Sequence, residues 1–378
     1  MKVLHVQNIT GIAGSEMYLL NALPALKKQG IEVHFLCLHP SKNKTGFFEF
    51  KAKLEAEGIL CYSIGFKSFP FVFTMRKLHQ LLGGGDFDLV HSHLIHADFI
   101  LSYYKRFFNS KLKLVSTKHG YQEWYNNKYG FDPEFKKNNL YLRVAKFAEK
   151  QMNASIAISK GLFKLYTGLQ ICKEEKLRHI PYGFDFESIE KEDSNFRKSK
   201  QQLVLVGRLT AFKGHRYAIE AMDLLREKLP ELKLLFIGTG DEESNLKAQV
   251  KKLKLEAEVL FMGWSKEARS YMKNSDLVLV PSISEGFGVV VLEAFSVAKP
   301  IVAFDVPSLN EHIRDGQNGR IIPAYDVSAF AAAIESLIIK PEESKLLGKE
   351  GERLLQDKYS LGRMTKQTLE FYDSLHSS

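Results

Sequence analysis

The sequence predicts an α/β fold of two doubly wound domains, and three observations carry that expectation. The chain has 378 residues, too long for one average domain and well matched to two of roughly 150 to 200 residues. Short apolar runs of buried-strand type alternate with helical patterns from residue 2 onward, and the same alternation starts again at residue 203. Glycine-bearing loops follow several of these runs, at the carboxyl ends of strands where open α/β sheets bind their ligands.

Taken in order, residues 2–7 have the apolar content of a central strand. The loop 8–15, NITGIAGS, ends at a helix N-cap before a helix over 16–28. Gly11 and Gly14 would let a phosphate or an acceptor approach the backbone, although two glycines also make a simple tight turn. Residues 31–38 and 88–92 read as further strands with helical patterns between and after them. Residues 112–117 and 155–158 continue the series, with a helix over 137–151. Pro181 and Gly183 then punctuate the chain, and the charged stretch running to residue 202 reads as a linker.

Residues 203–206 open the second series. A helix over 215–229, a strand over 232–237, the loop Gly238-Thr239-Gly240, another helix and a strand over 259–262 follow. Helical segments over 327–355 break near Pro341, and 361–375 is amphipathic enough for a terminal helix. No close sequence repeat links the two halves, so their likeness is one of pattern.

The most informative stretch is 276–320, which reads as strand, glycine loop, helix, strand. An apolar run at 277–281 is broken by Ser-Ile-Ser-Glu-Gly-Phe-Gly over 282–288 before a helical segment begins at Val289. Gly286 and Gly288 would let backbone N–H groups reach a ligand, and a loop running into a helix offers unpaired amides suited to phosphate. Glu285 sits in that loop and Glu293 in the helix after it, flanking the anion site, and carboxylates there suit neutral hydroxyls. Amides for phosphate and acids for hydroxyls are what a nucleotide-sugar demands.

Glu285 and Glu293, followed by Glu311 and the Asp-Gly-x-Asn-Gly of 315–319, resemble the signature of retaining GT-B glycosyltransferases of the GT4 type. The resemblance covers essentially the whole chain and is densest in the second half. It implies two Rossmann-like doubly wound domains facing across a cleft: an acceptor-side domain over 1–185 and a nucleotide-sugar domain over 186–359. A C-terminal helix over 360–378 would pack back on the first domain. It implies a glycosyltransferase of hexosyltransferase type that takes a nucleotide-diphosphate sugar as donor and a glycan or lipid-linked acceptor. Bacterial surface polysaccharide or glycolipid assembly is the implied setting. The alternatives are a nucleotide-sugar-binding protein without catalysis and a GT-B sugar-nucleotide epimerase. Gly11 and Gly14 do not form the G-x-G-x-x-G that dinucleotide binding favours.

Individual roles follow the same motifs. Gly207-Arg208 and Lys213-Gly214 place two cations at the mouth of a strand-to-helix connection; by themselves these read more readily as solvated surface charge. GRLTAFKG is similar to the family's diphosphate-binding motif, which implies that Arg208 and Lys213 neutralise the donor diphosphate. The resemblance makes Glu285 a ligand of the sugar hydroxyls and Glu293 a ligand of the nucleotide ribose. Gly286, Phe287, Gly288 and Val289 would supply amides to the diphosphate, and Gly14 and Gly207 would line the donor site. Glu311 and Asn318 would support the fold. His119, after a predicted strand end, resembles the family's active-site histidine, whose side chain and carbonyl lie by the donor sugar. The family more often has Asn where this chain has Tyr182.

Composition sets the remaining bounds. Hydrophobic residues are 45% and charged residues 26%, as in an ordinary soluble globular protein. No run approaches the ~20 apolar residues of a membrane span, and the N-terminus reads as a strand, with no signal-peptide core. Cys37, Cys61 and Cys172 form neither a disulfide framework nor a zinc motif, so a cytoplasmic location is expected. The charge of +9 fits nucleic acid, an anionic membrane or a polyanion, but no nucleic-acid motif is present and none is expected to bind. Residues 66–82 and 99–113 mix aromatic with basic side chains; either could lie peripherally on an anionic membrane, and packing into the core is the plainer reading. His91, His93 and His96 invite a metal, yet no carboxylate or further histidine at ligand spacing completes a set, so neither metal nor cofactor is expected.

Overall fold

The computed structural model describes residues 1–9, 11–12, 14–40, 45–66, 72–120, 140–185 and 201–375. The expected linker after Asp185 lies almost wholly outside them, as does part of the aromatic stretch 66–82. The elements of the first half are β1 (Lys2–Asn8), α1 (Gly14–Lys28), β2 (Glu32–Pro40), α2 (Thr45–Ala56), β3 (Leu60–Phe66), α3 (Val72–Gly84), β4 (Leu89–His93), α4 (Leu94–Phe107), β5 (Leu114–Lys118), α5 (Leu140–Gln151), β6 (Ala154–Ala157), α6 (Lys160–Gly168) and β7 (Leu177–His179). The second half contributes β8 (Gln201–Val206), α7 (His215–Leu225), β9 (Leu232–Ile237), α8 (Glu243–Leu253), β10 (Val259–Gly263), α9 (Ala268–Lys273), β11 (Leu277–Val280), α10 (Val289–Phe295), β12 (Ile301–Phe304), β13 (Arg320–Ile322), α11 (Val327–Ile339), α12 (Pro341–Lys358) and α13 (Leu361–Ser374).

Among the described residues the chain divides into two compact units, one up to Asp185 together with the segment from Tyr359, the other up to Lys358. The first holds a seven-stranded parallel sheet in the order β3-β2-β1-β4-β5-β6-β7, the second a six-stranded parallel sheet in the order β10-β9-β8-β11-β12-β13. The doubly wound expectation holds in both. Each sheet reverses its winding once, between β1 and β4 and between β8 and β11, and these are the switch points where such sheets bind ligands. β3, β7 and β13 were not anticipated. β3 reads Leu-Cys-Tyr-Ser-Ile-Gly-Phe, which is neither a continuous apolar run nor a clean alternation; β7 and β13 have only three residues each.

Local chemistry sets the boundaries. Ser159, Asp326 and Ser360 cap α6, α11 and α13, each accepting an N–H three residues on. Pro341 opens α12, where its missing N–H costs nothing. α1 begins at Gly14, earlier than the expected cap at Ser15, whose hydroxyl instead accepts from Gln7 Nε2 at 3.1 Å. The first core packs Leu4, Val6, Leu36 and Val90 of the sheet with Ile100, Leu101 and Tyr104 of α4. The second packs Leu203, Leu234, Phe236, Leu277 and Phe304 with Ile219 and Met222 of α7 and Phe330 and Ile334 of α11. α13 packs on α1 within the first unit. Its approach depends on Gly183: a Cβ there would stand 2.7 Å from the Ser360 carbonyl oxygen and 2.9 Å from Leu361 Cα. Phe184 N donates to Tyr359 O and Leu361 N to Phe184 O across that contact, at 2.8 and 2.9 Å.

The first unit also buries an ion cluster. Lys118 Nζ, at the end of β5, lies 2.9 Å from both Asp98 Oδ2 of α4 and Glu149 Oε2 of α5. Ser92 and Ser116 donate to Asp98, and Ser155 donates to Glu149, so the two carboxylates are satisfied beyond the ammonium. Two acids around one base cover its desolvation, and their charges hold the Lys118 ammonium well above its usual range although burial alone would lower it. Lys118→Met should destabilise the first unit by roughly 3 kcal/mol or more by stranding two buried acids. A urea titration at pH 7 checks this; an unchanged midpoint would contradict it.

Candidate active site

In the second unit the candidate residues gather on the loops leaving the carboxyl ends of β8, β9 and β11. Glycines let these loops touch backbone to backbone. A Cβ on Gly238 would overlap the Gly207 carbonyl, one on Gly240 the Leu209 carbonyl, and one on Gly214 the Pro281 carbonyl. Gly214 also has φ +73°, a left-handed backbone that β-carbons disfavour. Leu209 N donates to Thr239 O at 3.0 Å and Ile283 N to Phe212 O at 2.9 Å, which stitches the three loops together.

This closeness decides where Lys213 points. Its aliphatic stem runs past Gly207, close enough that a Cβ there would be in ordinary van der Waals contact with Cδ at 3.7 Å. Its ammonium meets Glu285 Oε1 at 2.5 Å, the two side chains being 18% and 9% exposed. The sequence reading assigned these residues separate roles; the structure makes them one ion pair. Arg208, the residue after Gly207, is exposed at the same strand mouth. Glu293 lies on α10, and burial raises its carboxyl pKa while the charges of Arg269 and Lys213 pull it back down. Arg269, on α9, was not anticipated, because nothing in its own segment marks it and only the packing brings its charge to Glu293.

The Glu285–Gly288 loop is braced from behind. Ser308 Oγ donates to Glu285 O at 2.7 Å, and His312 Nε2 bonds to Phe287 O at 2.6 Å. Gly288 has φ +82° and precedes α10, which starts at Val289. Asn318 accepts from Arg314 N and donates to His312 O, tying the Asp-Gly-x-Asn-Gly turn to that brace. Ser308 and His312 also escaped the sequence reading, since they bond to carbonyls remote in sequence. So did His215, which opens α7 two residues after Lys213 with neither ring nitrogen hydrogen-bonded among the described residues.

His119 and Gly14 belong to the first unit. His119 follows β5, and both ring nitrogens are engaged: Nδ1 with the Tyr182 hydroxyl at 2.5 Å, Nε2 with His93 Nδ1 at 2.9 Å. A ligand can therefore meet His119 through its main chain or ring edge more readily than through a ring nitrogen. Tyr18 of α1 stacks on Tyr182, with centroids 4.6 Å apart, and sets its own edge against His119. Gly14 is the exposed first residue of α1, and the space beside Gly11 is open.

One expectation about histidines needs correcting. His5, from β1, joins His91 and His93, and one nitrogen of each lies within 4.8 Å of the others. The sequence hid this because β1 and β4 are neighbours only in the sheet. His91 and His93 stack, however, with centroids 4.4 Å apart at 21°, and His5 Nδ1 and His93 Nε2 meet each other at 3.0 Å. In-plane lone pairs of the stacked His91 and His93 run side by side, and the facing nitrogens of His5 and His93 are engaged with each other, so the three do not converge on a point as a tetrahedral ion requires. His96, on α4, is outside this set.

Two family models match the chain in succession, Glycosyltransferase Family 4 over residues 12–188 and Glycosyl transferases group 1 over residues 186–354. An uncharacterized glycosyltransferase of Haemophilus influenzae is 25% identical over 96% of this chain and 97% of its own. The O-antigen biosynthesis glycosyltransferase WclY of Escherichia coli is 25% identical over 76% of this chain and 80% of its own. Among solved structures, Anabaena Alr3699/HepE in complex with UDP superposes with a TM-score of 0.83 at 20% identity, over 99% of this chain and 100% of that one. That last likeness is one of fold.

Buried imidazoles make stability depend on pH. Burial pushes His5 and His215 each down to about 3 from an ordinary 6.5, with Lys213 adding to the shift at His215. The unfolded chain binds these protons below pH 6.5 and the folded chain does not, so their stabilisation is full above 6.5 and is lost as pH falls toward 3. Each should contribute a slope of up to about 1.4 kcal/mol per pH unit. Urea midpoints measured from pH 7 to 5 should fall steadily, and a flat profile would contradict the buried neutral assignment.

Proposed function

Because the chain belongs to the GT4-type GT-B glycosyltransferases, we propose that it transfers a hexosyl group from a nucleotide-diphosphate sugar to a hydroxyl of a glycan or lipid-linked acceptor, with retention at the anomeric carbon. The observation that carries this reading is the Lys213–Glu285 pair, set beside Gly207 on the loops that glycines draw together at the β8/β11 switch point. In this reading residues 186–359 bind the donor and residues 1–185 serve the acceptor side. The HepE structure with UDP supports a nucleotide donor, and the name of WclY supports surface polysaccharide or glycolipid assembly as the setting.

Each residue has a defined task. An ammonium has three N–H donors, so Lys213 can hold Glu285 and a diphosphate oxygen together. Arg208 adds a forked donor to the same oxygens. Negative charge grows on the diphosphate as its bond to the sugar breaks, so both cations bind the transition state more strongly than the ground state. Amides of Gly286, Phe287, Gly288 and Val289 serve that diphosphate, and Gly14 and Gly207 let it approach the backbone. Glu293 takes the ribose hydroxyls. Glu285, already bonded to Lys213, orients the sugar hydroxyls and is poorly free to attack carbon. The acceptor oxygen then bonds to the anomeric carbon on the face the diphosphate leaves, and the leaving phosphate oxygen takes the acceptor's proton. To His119 this reading assigns stabilisation of the positive charge that develops at that carbon.

Thermal shift against UDP, GDP, ADP and CMP and their sugar conjugates tests the donor site, since a ligand at a hundred times its Kd should add about 2.7 kcal/mol to stability. One nucleotide should raise Tm. Lys213→Ala and Arg208→Ala should lower kcat roughly 100-fold or more with the fold intact. Near-normal turnover in both would sink the diphosphate assignment, and a glycosyl adduct on Glu285 seen by mass spectrometry would replace the retention mechanism with double displacement.

No helix among the described residues is long and apolar enough to cross a membrane, and we place the protein in the cytoplasm with a peripheral membrane face. Phe73 of α3 is 62% exposed with the Lys77 ammonium over its ring, and Phe107 and Phe108 at the end of α4 are 58% and 52% exposed with Arg106 beside Phe107. Exposed aromatics flanked by cations suit an anionic lipid surface. Cosedimentation with anionic vesicles should fall as salt rises, and no binding at low salt would remove this face from the reading.

A further inference from the structure

Four imidazoles and two phenols inside the first unit form one unbroken hydrogen-bond chain. The Tyr182 hydroxyl meets His119 Nδ1 at 2.5 Å, His119 Nε2 meets His93 Nδ1 at 2.9 Å, and His93 Nε2 meets His5 Nδ1 at 3.0 Å. His5 Nε2 meets the Tyr372 hydroxyl at 3.4 Å, that hydroxyl meets His91 Nδ1 at 2.6 Å, and His91 Nε2 meets Thr117 Oγ1 at 2.8 Å. The path starts at Tyr182 after β7, crosses β5, β4 and β1, and reaches α13 before turning back.

A neutral imidazole has one N–H and one lone pair, so a ring that donates from one nitrogen must accept at the other. Burial keeps all four neutral, since it lowers each far from its ordinary value. Fixing the direction of one link among His119, His93 and His5 therefore fixes the others, and the Tyr372 hydroxyl passes that direction on to His91 when it accepts from one ring and donates to the other. If Tyr182 donates to His119, then His119, His93, His5 and His91 all carry their proton on Nε2. If the chain runs from Thr117 toward Tyr182, all four carry it on Nδ1. Any other arrangement sets two donors or two lone pairs face to face, or has Tyr372 accept from both His5 and His91 and leaves its proton without an acceptor in the chain, at about 1–3 kcal/mol per unsatisfied group.

We propose that His93, His5 and Tyr372 are positioning residues for His119: a relay that holds its imidazole in one tautomer and one orientation and thereby sets the main chain at the edge of the site. Tyr182, which stands where the resembling family more often has Asn, is the end-stop of that relay in this chain. The catalytic consequence rests on the glycosyl-transfer reading above; the common tautomer does not. The stacking of His91 on His93 and the bond between His5 and His93 nitrogens also favour a relay over an ion site there.

The test uses the full chain labelled with 15N-histidine. Two-bond proton–nitrogen correlations at pH 7.5 should show His5, His91, His93 and His119 neutral and in one common tautomer. Tyr372→Phe removes a hydroxyl and keeps the ring, so His91 should cease to match the other three. In the same variant kcat should fall roughly 3- to 10-fold, the worth of about one hydrogen bond, with donor KM unchanged. His93→Asn, whose amide can stand in for Nδ1 and keep the His119 link, should retain more kcat than His93→Gln, which can stand in only for Nε2. Two different tautomers among the four rings of the unaltered protein, or an imidazolium, would overturn the relay. Added Zn²⁺ that moves the signals of His5, His91 and His93 together would overturn it in favour of a metal site. If no sugar nucleotide is turned over, the tautomers still decide the relay, and mixed tautomers in an active enzyme would sink the relay alone.

Discussion

Parallel strand pairing is the constraint from which the rest of this protein follows. A parallel neighbour can be reached only by a crossover, so every strand in a sheet begins at one edge and ends at the other. Both sheets here are wholly parallel among the described residues, and each is wound outward in two directions from a central pair. The loops leaving β8 and β11 therefore part at a switch point and leave a crevice between them. Strands covered on both faces must be apolar throughout, as Leu203 to Leu205 and Leu277 to Val280 are, so ligand chemistry is pushed out to the loops.

Those loops are held by contacts that glycine alone permits. Gly207 and Gly238, Gly214 and Pro281, and Leu209 and Gly240 meet at distances that no Cβ would allow. The result is a rigid floor of backbone, on which the Lys213 stem lies and beyond which its ammonium finds Glu285. A charge pair at 2.5 Å on such a floor is poised in a way that a lysine on a mobile loop would not be. Ser308 and His312 hold the carbonyls of Glu285 and Phe287 and so brace that loop.

The first unit solves a different problem, a polar interior. Lys118, Asp98 and Glu149 are buried together, the adjoining His5, His91 and His93 are buried as neutral rings, and His119 beside them is partly buried. Apolar side chains of similar size would fill the same space with less desolvation. What the polar set adds is direction, because a hydrogen-bonded ring has one orientation and a packed aliphatic chain has several. Lys118 and His119 are adjacent, so the ion cluster and the imidazole chain anchor the same end of β5 from its two sides. Gly183 and Tyr182 join this anchor to α13 through backbone contact and a phenol.

The sequence by itself determined whatever depends on local pattern. Apolar runs at residues 203–206 and 277–281 marked strands, Pro341 marked a break between helical segments, and Glu285, Glu293, Lys213 and Arg208 stood in motifs that carried the family. Local pattern fails where a segment is short or mixed, as in β3, β7 and β13, because three residues or an irregular run carry no usable period. Tertiary structure alone decided who meets whom. Strand order placed His5 beside His91 and His93 and so completed a cluster that spacing had left incomplete. Loop packing joined Lys213 to Glu285 across 72 positions of sequence and brought the charge of Arg269 to bear on Glu293. These are contacts between loops and strands remote in the chain, and no side chain carries in its own neighbourhood a record of the partner that folding will bring to it.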